Sequence, residues 1–197
     1  MFSRHLVAAA ASIAVLGAFN GSIHALQERI DPTKEHLDST GSGFILTSSG
    51  YIVTNHHVIA GATLLGVQIP GREKAVPAKV VVDDPEDDLA IVKIDGPLGN
   101  SPIAFADAAQ VRMGQDIVAL GYPLGFELGQ TVRTATGTIS SLLGPRDKEG
   151  LYQVSAPVQH GNSGGPVFNK DGQLVGVVVS GFTRAQNVNF VIKGSVL

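Results

Sequence analysis

Short apolar runs separated by Gly, Pro, Asp and Asn follow one another along the chain from residue 41 onward. Runs of about four to eight residues between such turn signals are typical of β-strands, and many at regular spacing indicate a sandwich or a barrel. The pattern predicts eleven strands, at residues 43–47, 51–54, 63–69, 75–82, 89–94, 116–120, 132–140, 152–155, 167–169, 173–179 and 188–192. The stretch 97–114 lacks alternation and separates five strands from six. We therefore expect an all-β protein with two tandem antiparallel β-barrels of the six-stranded type.

The N-terminal region has a different pattern. Arg4 and His5 precede a 14-residue apolar run at 6–19, and the small residue Ala25 follows a polar stretch. This order is typical of a secretory signal peptide. The apolar run is too short to span a membrane, which takes about 18 apolar residues. A buried N-terminal helix or an uncleaved anchor is the alternative. We predict a signal peptide, an exposed arm, a first barrel and a second barrel at residues 1–25, 26–40, 41–100 and 101–197.

Export through such a signal peptide places the mature protein in the periplasm or outside the cell, and the composition narrows its function further. The chain has 14 Lys and Arg against 17 Asp and Glu, a net charge of −3, and no cysteine. Nucleic-acid-binding proteins normally carry a basic stripe, so this class is disfavoured. Without cysteine the chain forms no disulfide, no thiolate metal site and no thiol nucleophile. We expect no cofactor, and an exported protein of this kind is typical of bacteria.

One glycine-rich turn between two apolar strands carries a candidate nucleophile. In the sequence of residues 161–166, Gly-Asn-Ser-Gly-Gly-Pro, the hydroxyl of Ser163 is uncrowded. The backbone N–H groups of Gly161 and Ser163 could point the same way and stabilise the oxyanion of an acyl-transfer intermediate. The alternative is a hairpin turn that contains an incidental serine.

A serine nucleophile needs a base, and histidine suits this task at neutral pH. His56 and His57 end an apolar strand, a placement that fixes one of the two imidazoles, whereas His36 and His160 lie in polar segments. A carboxylate must orient the base. Among the acids of residues 83–88 only Asp88 runs directly into a strand, and its neighbours are expected to form a solvated loop.

The candidates therefore follow one another along the chain as histidine, aspartate and serine. This order is typical of chymotrypsin-like folds and differs from those of α/β-hydrolases and subtilisins. With these residues in view, the sequence resembles the trypsin-like serine peptidases of the bacterial HtrA/Deg-like branch. The matching motifs lie at residues 41–44, 54–58, 88–91, 121–123, 161–166 and 189–192.

The resemblance implies a chymotrypsin-like double barrel with the active site in the cleft between the barrels. His57 would be the base, Asp88 the orienting acid and Ser163 the nucleophile, with the backbone N–H groups of Gly161 and Ser163 as the oxyanion hole. His56 occupies the variable position of the motif Thr-Asn-x-His-Val.

Two further expectations follow from the resemblance. Asn162 stands where zymogen-activated relatives carry Asp, so we expect no activation by a new N-terminal ammonium. The substrate pocket would contain Pro157, Val179, Ser180 and Gly181, none of which is charged. We therefore expect cleavage after small or medium aliphatic residues.

The resemblance covers the protease domain only, and we expect no PDZ-type domain after the last predicted strand. The arm at 26–40 has no aromatic residue to support the trimers of the family, so a monomer is favoured. The expected function is a serine endopeptidase that acts on exported or misfolded polypeptides, with no nucleic-acid partner and no stable membrane span after signal cleavage. The alternatives are a catalytically silent double barrel that binds peptides and, more remotely, a metal site built from the histidines.

Overall fold

The structure is a computed structural model that describes residues 10–16, 37–70, 72, 74–98, 103–122, 131–181 and 188–197. The predicted arm up to residue 36 and Pro123 of the predicted motif at 121–123 lie outside these ranges. The first six strands are β1 (Ala10–Leu16), β2 (Leu37–Ile45), β3 (Tyr51–Thr54), β4 (Leu64–Gln68), β5 (Val76–Asp84) and β6 (Leu89–Ile94). The next six are β7 (Asp116–Gly121), β8 (Arg133–Ser141), β9 (Leu151–Val154), β10 (Pro166–Asn169), β11 (Leu174–Gly181) and β12 (Asn189–Lys193).

Helical structure within the described ranges is confined to short segments. A one-turn helix, α1 (His56–Ile59), follows β3, and three 3₁₀ turns lie at Ala108–Gln110, Pro145–Asp147 and Gly194–Val196. None of the helices described is long and apolar enough to cross a membrane.

The strands form two closed antiparallel barrels. The first barrel has the order β1-β2-β3-β6-β5-β4, and the second has the order β10-β11-β12-β9-β8-β7. The first barrel closes where β1 pairs with β4, and the second closes where β10 pairs with β7. The predicted all-β fold of two tandem barrels is confirmed.

Strand β2 from Gly41 and strand β3 from Ile52 are buried on both faces, because one face lines the first barrel and the other faces the second. Side chains alternate along a strand, so neighbours point in opposite directions. Ile45 and Ile52 belong to the core of the first barrel. Phe44 and Val53, which are fully buried and paired in register, pack with residues of β7, β10, β11 and β12. This shared apolar layer holds the two barrels together.

Strand β1 lies inside the segment for which the sequence predicts a signal peptide. It pairs with β2 from Ala10 to Leu16 and with β4 from Ser12 to Leu16. The sequence predicts only five strands for this barrel, because an apolar run rich in Ala and Val fits the core of a signal peptide and a strand buried in a barrel equally well. Cleavage near Ala25 stays a prediction, and it would remove one of the six strands of the first barrel.

The beginning of β2 corrects a second boundary. The sequence predicts an exposed arm up to residue 40, yet β2 already begins at Leu37. The residues from Leu37 to Phe44 pair with β1, whereas β3 pairs with β2 only at Phe44 and Ile45. The polar start of β2 is therefore a strand because β1 offers it a partner, which is information that its own sequence does not contain.

Removal of residues 1–25 should destabilise the protein strongly. The loss of β1 takes ladder partners from seven positions of β2 and five of β4. Each intramolecular hydrogen bond contributes about 1 kcal/mol net, so several kcal/mol of a typical stability of about 5–15 kcal/mol would be lost. In a thermal melt we expect Tm to fall by about 10 °C or more, or the variant to be insoluble.

The matched control is removal of residues 1–8, which leaves β1 intact and should leave Tm unchanged. A variant without residues 1–25 that melts like the full chain would contradict the expected role of β1. It would also agree with the predicted removal of these residues as a signal peptide.

Candidate active site

His57 and Asp88 form a tightly oriented pair on the first barrel. The Nδ1 atom of His57 lies 2.7 Å from Oδ2 and 3.0 Å from Oδ1 of Asp88. The backbone N–H of His57 donates to the same carboxylate at 2.9 Å. A proton on Nδ1 is therefore held by the carboxylate, and Nε2 is the ring atom available to accept another proton. The side chain of His57 is 44% exposed, so solvent or a bound molecule can reach the ring.

The backbone of Asp88 is held in an unusual conformation by a neighbouring amide. Asp88 has φ of +55°, in the left-handed region that costs a non-glycine residue about 1–2 kcal/mol. The Nδ2 atom of Asn55, the residue before α1, donates to the carbonyl of Asp88 at 2.8 Å. Asn55 is fully buried, and its Oδ1 has no partner among the described residues. The sequence motif contains Asn55 but gives no sign of this contact.

The second histidine of the adjacent pair has an aspartate of its own. Nδ1 of His56 lies 2.6 Å from Oδ1 of Asp83. Asp84 accepts hydrogen bonds from the backbone N–H groups of Glu86 and Asp87 at 3.0 and 3.2 Å. The predicted solvated loop is therefore only partly correct, because Asp83 and Asp84 belong to β5 and Asp84 and Asp87 are half-buried. His56 and His57 thus lie in matched His–Asp pairs with different surroundings.

In the turn that carries Ser163, two N–H groups have no backbone acceptor among the described residues. Gly161 has φ of +93°, a conformation that favours glycine. The N–H of Asn162 donates to the carbonyl of Gln159 at 3.0 Å, and the N–H of Gly165 donates to the carbonyl of Asn162. Within the described ranges the N–H groups of Gly161 and Ser163 have no backbone acceptor. These are the two groups that the sequence predicts as an oxyanion hole.

The hydroxyl of Ser163 is engaged by the second barrel. Its Oγ donates to the carbonyl of Val179 on β11 at 2.5 Å. Both Ser163 and His57 are described, and no hydrogen bond joins them. The Ser163 side chain must therefore rotate about its Cα–Cβ bond before His57 can accept its proton.

Ser42 of β2 connects the first barrel to this turn. Its backbone N–H donates to the carbonyl of Ser163 at 2.7 Å, and its Oγ donates to the carbonyl of Gly161 at 2.5 Å. The same Oγ accepts from the backbone N–H of Tyr122 at 2.9 Å, and Ser42 is 1% exposed. Burial raises the pKa of the Tyr122 phenol to about 12. The sequence predicts no role for Ser42.

The predicted substrate pocket is only partly described. Its four residues are Pro157, Val179, Ser180 and Gly181. Pro157 is exposed on the segment after β9, and Val179 is half-buried. The exposure of Ser180 and Gly181 is not described. Asn189 pairs with Gly181 and donates from Nδ2 to the carbonyl of Ala156 at 2.7 Å. This buried amide, which the sequence does not predict, joins the two segments of the pocket.

Substitution of Gly164 by Ala should disturb the turn much more than an ordinary glycine substitution. Gly164 has φ of +84°, and a Cβ atom there would overlap the carbonyl of Ser42 and lie 2.5 Å from Oγ1 of Thr54. Gly61 has φ of +74° with open space around it. Both substitutions incur the left-handed cost of about 1–2 kcal/mol, and Gly164→Ala adds about 1–3 kcal/mol of overpacking.

Equilibrium denaturation of the two variants measures this difference. Gly61→Ala is the control for backbone conformation alone. Equal losses of unfolding free energy would show that the turn is not packed against β2 and β3 as tightly as these contacts require.

Comparison with known proteins places this geometry in a family. Residues 41–177 match the family described as "Trypsin-like peptidase domain". The periplasmic serine endoprotease DegP of Escherichia coli strain K12 is 39% identical over 127 residues, which are 62% of this chain and 26% of the relative. The probable periplasmic serine protease do/HhoA-like of Haemophilus influenzae is 42% identical over 130 residues, with the same 62% and 26% covered. The chain thus spans about a quarter of the length of these relatives.

Solved structures agree with this match. The crystal structure of the serine endoprotease from Yersinia pestis has a TM-score of 0.74 at 27% identity and covers 98% of this chain and 61% of its own. An HtrA-type protease solved with a tripeptide has a TM-score of 0.77 at 25% identity and covers 98% and 58%. Because the family match extends over more than half of the chain, this protein belongs to the trypsin-like peptidases.

Proposed function

We propose that the chain is a serine endopeptidase in which Ser163, His57 and Asp88 form the catalytic triad. The observation that carries the proposal is the position of the Ser163 turn against the strand that leads to His57. A Cβ atom placed on Gly164 would lie 3.1 Å from the backbone N atom of Asn55, which stands two residues before His57. The Nδ1 atom of His57 is already held by Asp88, which leaves Nε2 as the base.

The reaction follows from these groups. Nε2 of His57 accepts the hydroxyl proton as Oγ of Ser163 attacks the carbonyl carbon of a peptide bond. The tetrahedral oxyanion is stabilised by the N–H groups of Gly161 and Ser163. His57 then donates the proton to the leaving amine as the C–N bond breaks, which leaves the acyl group as an ester of Ser163. Water, deprotonated by His57, hydrolyses the acyl-enzyme ester and regenerates the hydroxyl. Asp88 holds the imidazole in the required tautomer throughout.

Substitution of the nucleophile or the base should abolish labelling by a fluorophosphonate probe and cleavage of peptides. Removal of a serine nucleophile costs on the order of 10⁶-fold in kcat, so Ser163→Ala and His57→Ala should both fall to background. The measurements are probe labelling on a gel and hydrolysis of a fluorogenic peptide library.

His56→Ala is the matched control for this experiment. It removes the neighbouring imidazole with its own aspartate partner and should retain activity within a few-fold of the wild type. The triad assignment is wrong if His56→Ala is the inactive variant and His57→Ala keeps its turnover.

The same peptide library tests the proposed specificity. No charged side chain stands at Pro157, Val179, Ser180 or Gly181, so Lys and Arg have no ionic partner in the proposed pocket. We expect kcat/KM to be highest for substrates with Ala, Val or another small or medium aliphatic residue before the cleaved bond. A dominant preference for Lys or Arg at that position would contradict this pocket assignment.

A catalytically silent peptide-binding double barrel is the second candidate, and one observation favours it. The hydroxyl of Ser163 is bound to the carbonyl of Val179 and not to His57. Wild-type protein that binds peptides but is never labelled by the fluorophosphonate probe would support this candidate.

The cellular location and the substrates that we propose for the enzyme are based on those of its relatives. Relatives such as DegP of E. coli are named periplasmic endoproteases, which supports an exported protein that acts on exported or misfolded polypeptides. We retain the monomer as the proposed state and polypeptide substrates as the proposed partners. Cleavage near Ala25 would remove β1. A single molecule therefore cannot both lose the predicted signal peptide at this point and keep β1.

A further inference from the structure

We infer that Ser42 is a positioning residue that fixes the oxyanion hole from the opposite barrel. The inference rests on the proposed function, since it concerns how the Ser163 turn is held during acyl transfer. Ser42 touches no substrate in this assignment. It acts through the backbone of Gly161 and Ser163, the two residues whose N–H groups would bind the oxyanion.

The hydroxyl of Ser42 is the donor in one hydrogen bond and the acceptor in another. It donates to the carbonyl of Gly161 at 2.5 Å and accepts from the N–H of Tyr122 at 2.9 Å. One donor and one acceptor function are therefore used, and the residue is 1% exposed. Water cannot easily replace either bond at a buried position, so the loss of Oγ takes the hydroxyl donor away from the carbonyl of Gly161.

The Gly161 carbonyl and the N–H of Asn162 form one rigid peptide unit, which lies between the two units that carry the N–H groups of Gly161 and Ser163. Gly161 has φ of +93°, and glycine has alternative conformations open to it, so its own preferences do not fix this peptide unit. The hydroxyl of Ser42 holds the carbonyl on the side of β2. The backbone N–H of Ser42 holds the carbonyl of Ser163 at 2.7 Å. The carbonyls of both proposed oxyanion-hole residues are thus bound by Ser42.

The close packing around this contact leaves little room for the turn to move. A Cβ atom on Gly121 of β7 would lie 2.5 Å from Oδ1 of Asn162 and 3.0 Å from Oγ of Ser42. Gly121 therefore lets β7 approach both the turn and β2. Strand β1 supports the backbone of Ser42, because Ser42 pairs in register with Ser12. The position of the hydroxyl depends on a closed first barrel.

The test is Ser42→Ala in the full-length chain. We expect kcat for a peptide substrate to fall about ten- to a hundred-fold, while KM stays within about two-fold of the wild-type value. This loss of kcat is smaller than the loss of about 10²- to 10³-fold on direct removal of an oxyanion-hole donor. The fluorophosphonate labelling rate should fall by a similar factor. Such a split of kcat from KM is typical of an interaction that acts in the transition state only. All rates are normalised to the folded fraction from circular dichroism.

A second variant keeps the test decisive if Ser42→Ala does not fold. Ser42→Cys retains a weaker donor and acceptor of similar size in a chain without other cysteines, so its kcat should lie between those of the wild type and Ser42→Ala. Asn169→Ala is the matched control for stability. Asn169 is 5% exposed and binds the backbone N–H groups of Asp171 and Gln173, away from the Ser163 turn.

The outcomes separate the inference from the proposed function. Asn169→Ala should lower Tm but keep kcat, and the inference is overturned if it loses kcat as much as the Ser42 variants do. The inference alone is overturned if the wild type is active and the folded Ser42 variants keep its kcat. Wild-type protein that neither cleaves peptides nor reacts with the probe overturns the proposed function, and the inference with it.

Discussion

The contact between Ser42 and the Ser163 turn is the constraint on which the arrangement of the two barrels depends. It joins a strand of the first barrel to the turn of the second through two hydrogen bonds, from the backbone N–H and from the hydroxyl. At this point β2 has no ladder partner in β3, which pairs with it only at Phe44 and Ile45 and contacts Ser42 through the hydroxyl of Thr54. One edge of β2 is therefore available to the turn, while the other is occupied by β1. Closure of the first barrel and the shape of the turn in the second are parts of one structure.

The apolar layer between the barrels supplies the stability that this polar contact needs. A net hydrogen bond contributes about 1 kcal/mol, which alone does not hold two domains together. Phe44 and Val53 place their side chains against the second barrel, and fully burying a side chain of this kind contributes about 1.5–3 kcal/mol. Since side chains alternate along a strand, a register shift of one residue would turn Phe44 into the first barrel and Ile45 out of it. The same register sets the direction in which β3 delivers His57.

The sequence predicts candidate residues for the site, but it does not predict the contacts that support them. Alternation and turn signals predict the two barrels, and His57, Asp88 and Ser163 are candidates because each is a chemically distinctive residue between two strands. Strand β1 was not predictable, because an apolar Ala- and Val-rich run has the same pattern in a signal peptide and in a barrel. Ser42 and Asn55 are ordinary polar residues in the sequence. Their partners, Gly161 and Asp88, lie far along the chain, so only the fold reveals the contacts.

The hydrogen bond from Ser163 to Val179 bears on the choice between a working and a silent site. Rotation of the hydroxyl toward His57 gives up this bond, whose net contribution is about 0.5–1.5 kcal/mol. Since about 1.4 kcal/mol corresponds to a tenfold change, the contact lowers the population of the productive rotamer by about tenfold at most. A nucleophile in such a triad contributes on the order of 10⁶-fold. The resting contact is thus far too weak to silence the site, and the oriented His57–Asp88 pair favours the working enzyme over the binding module.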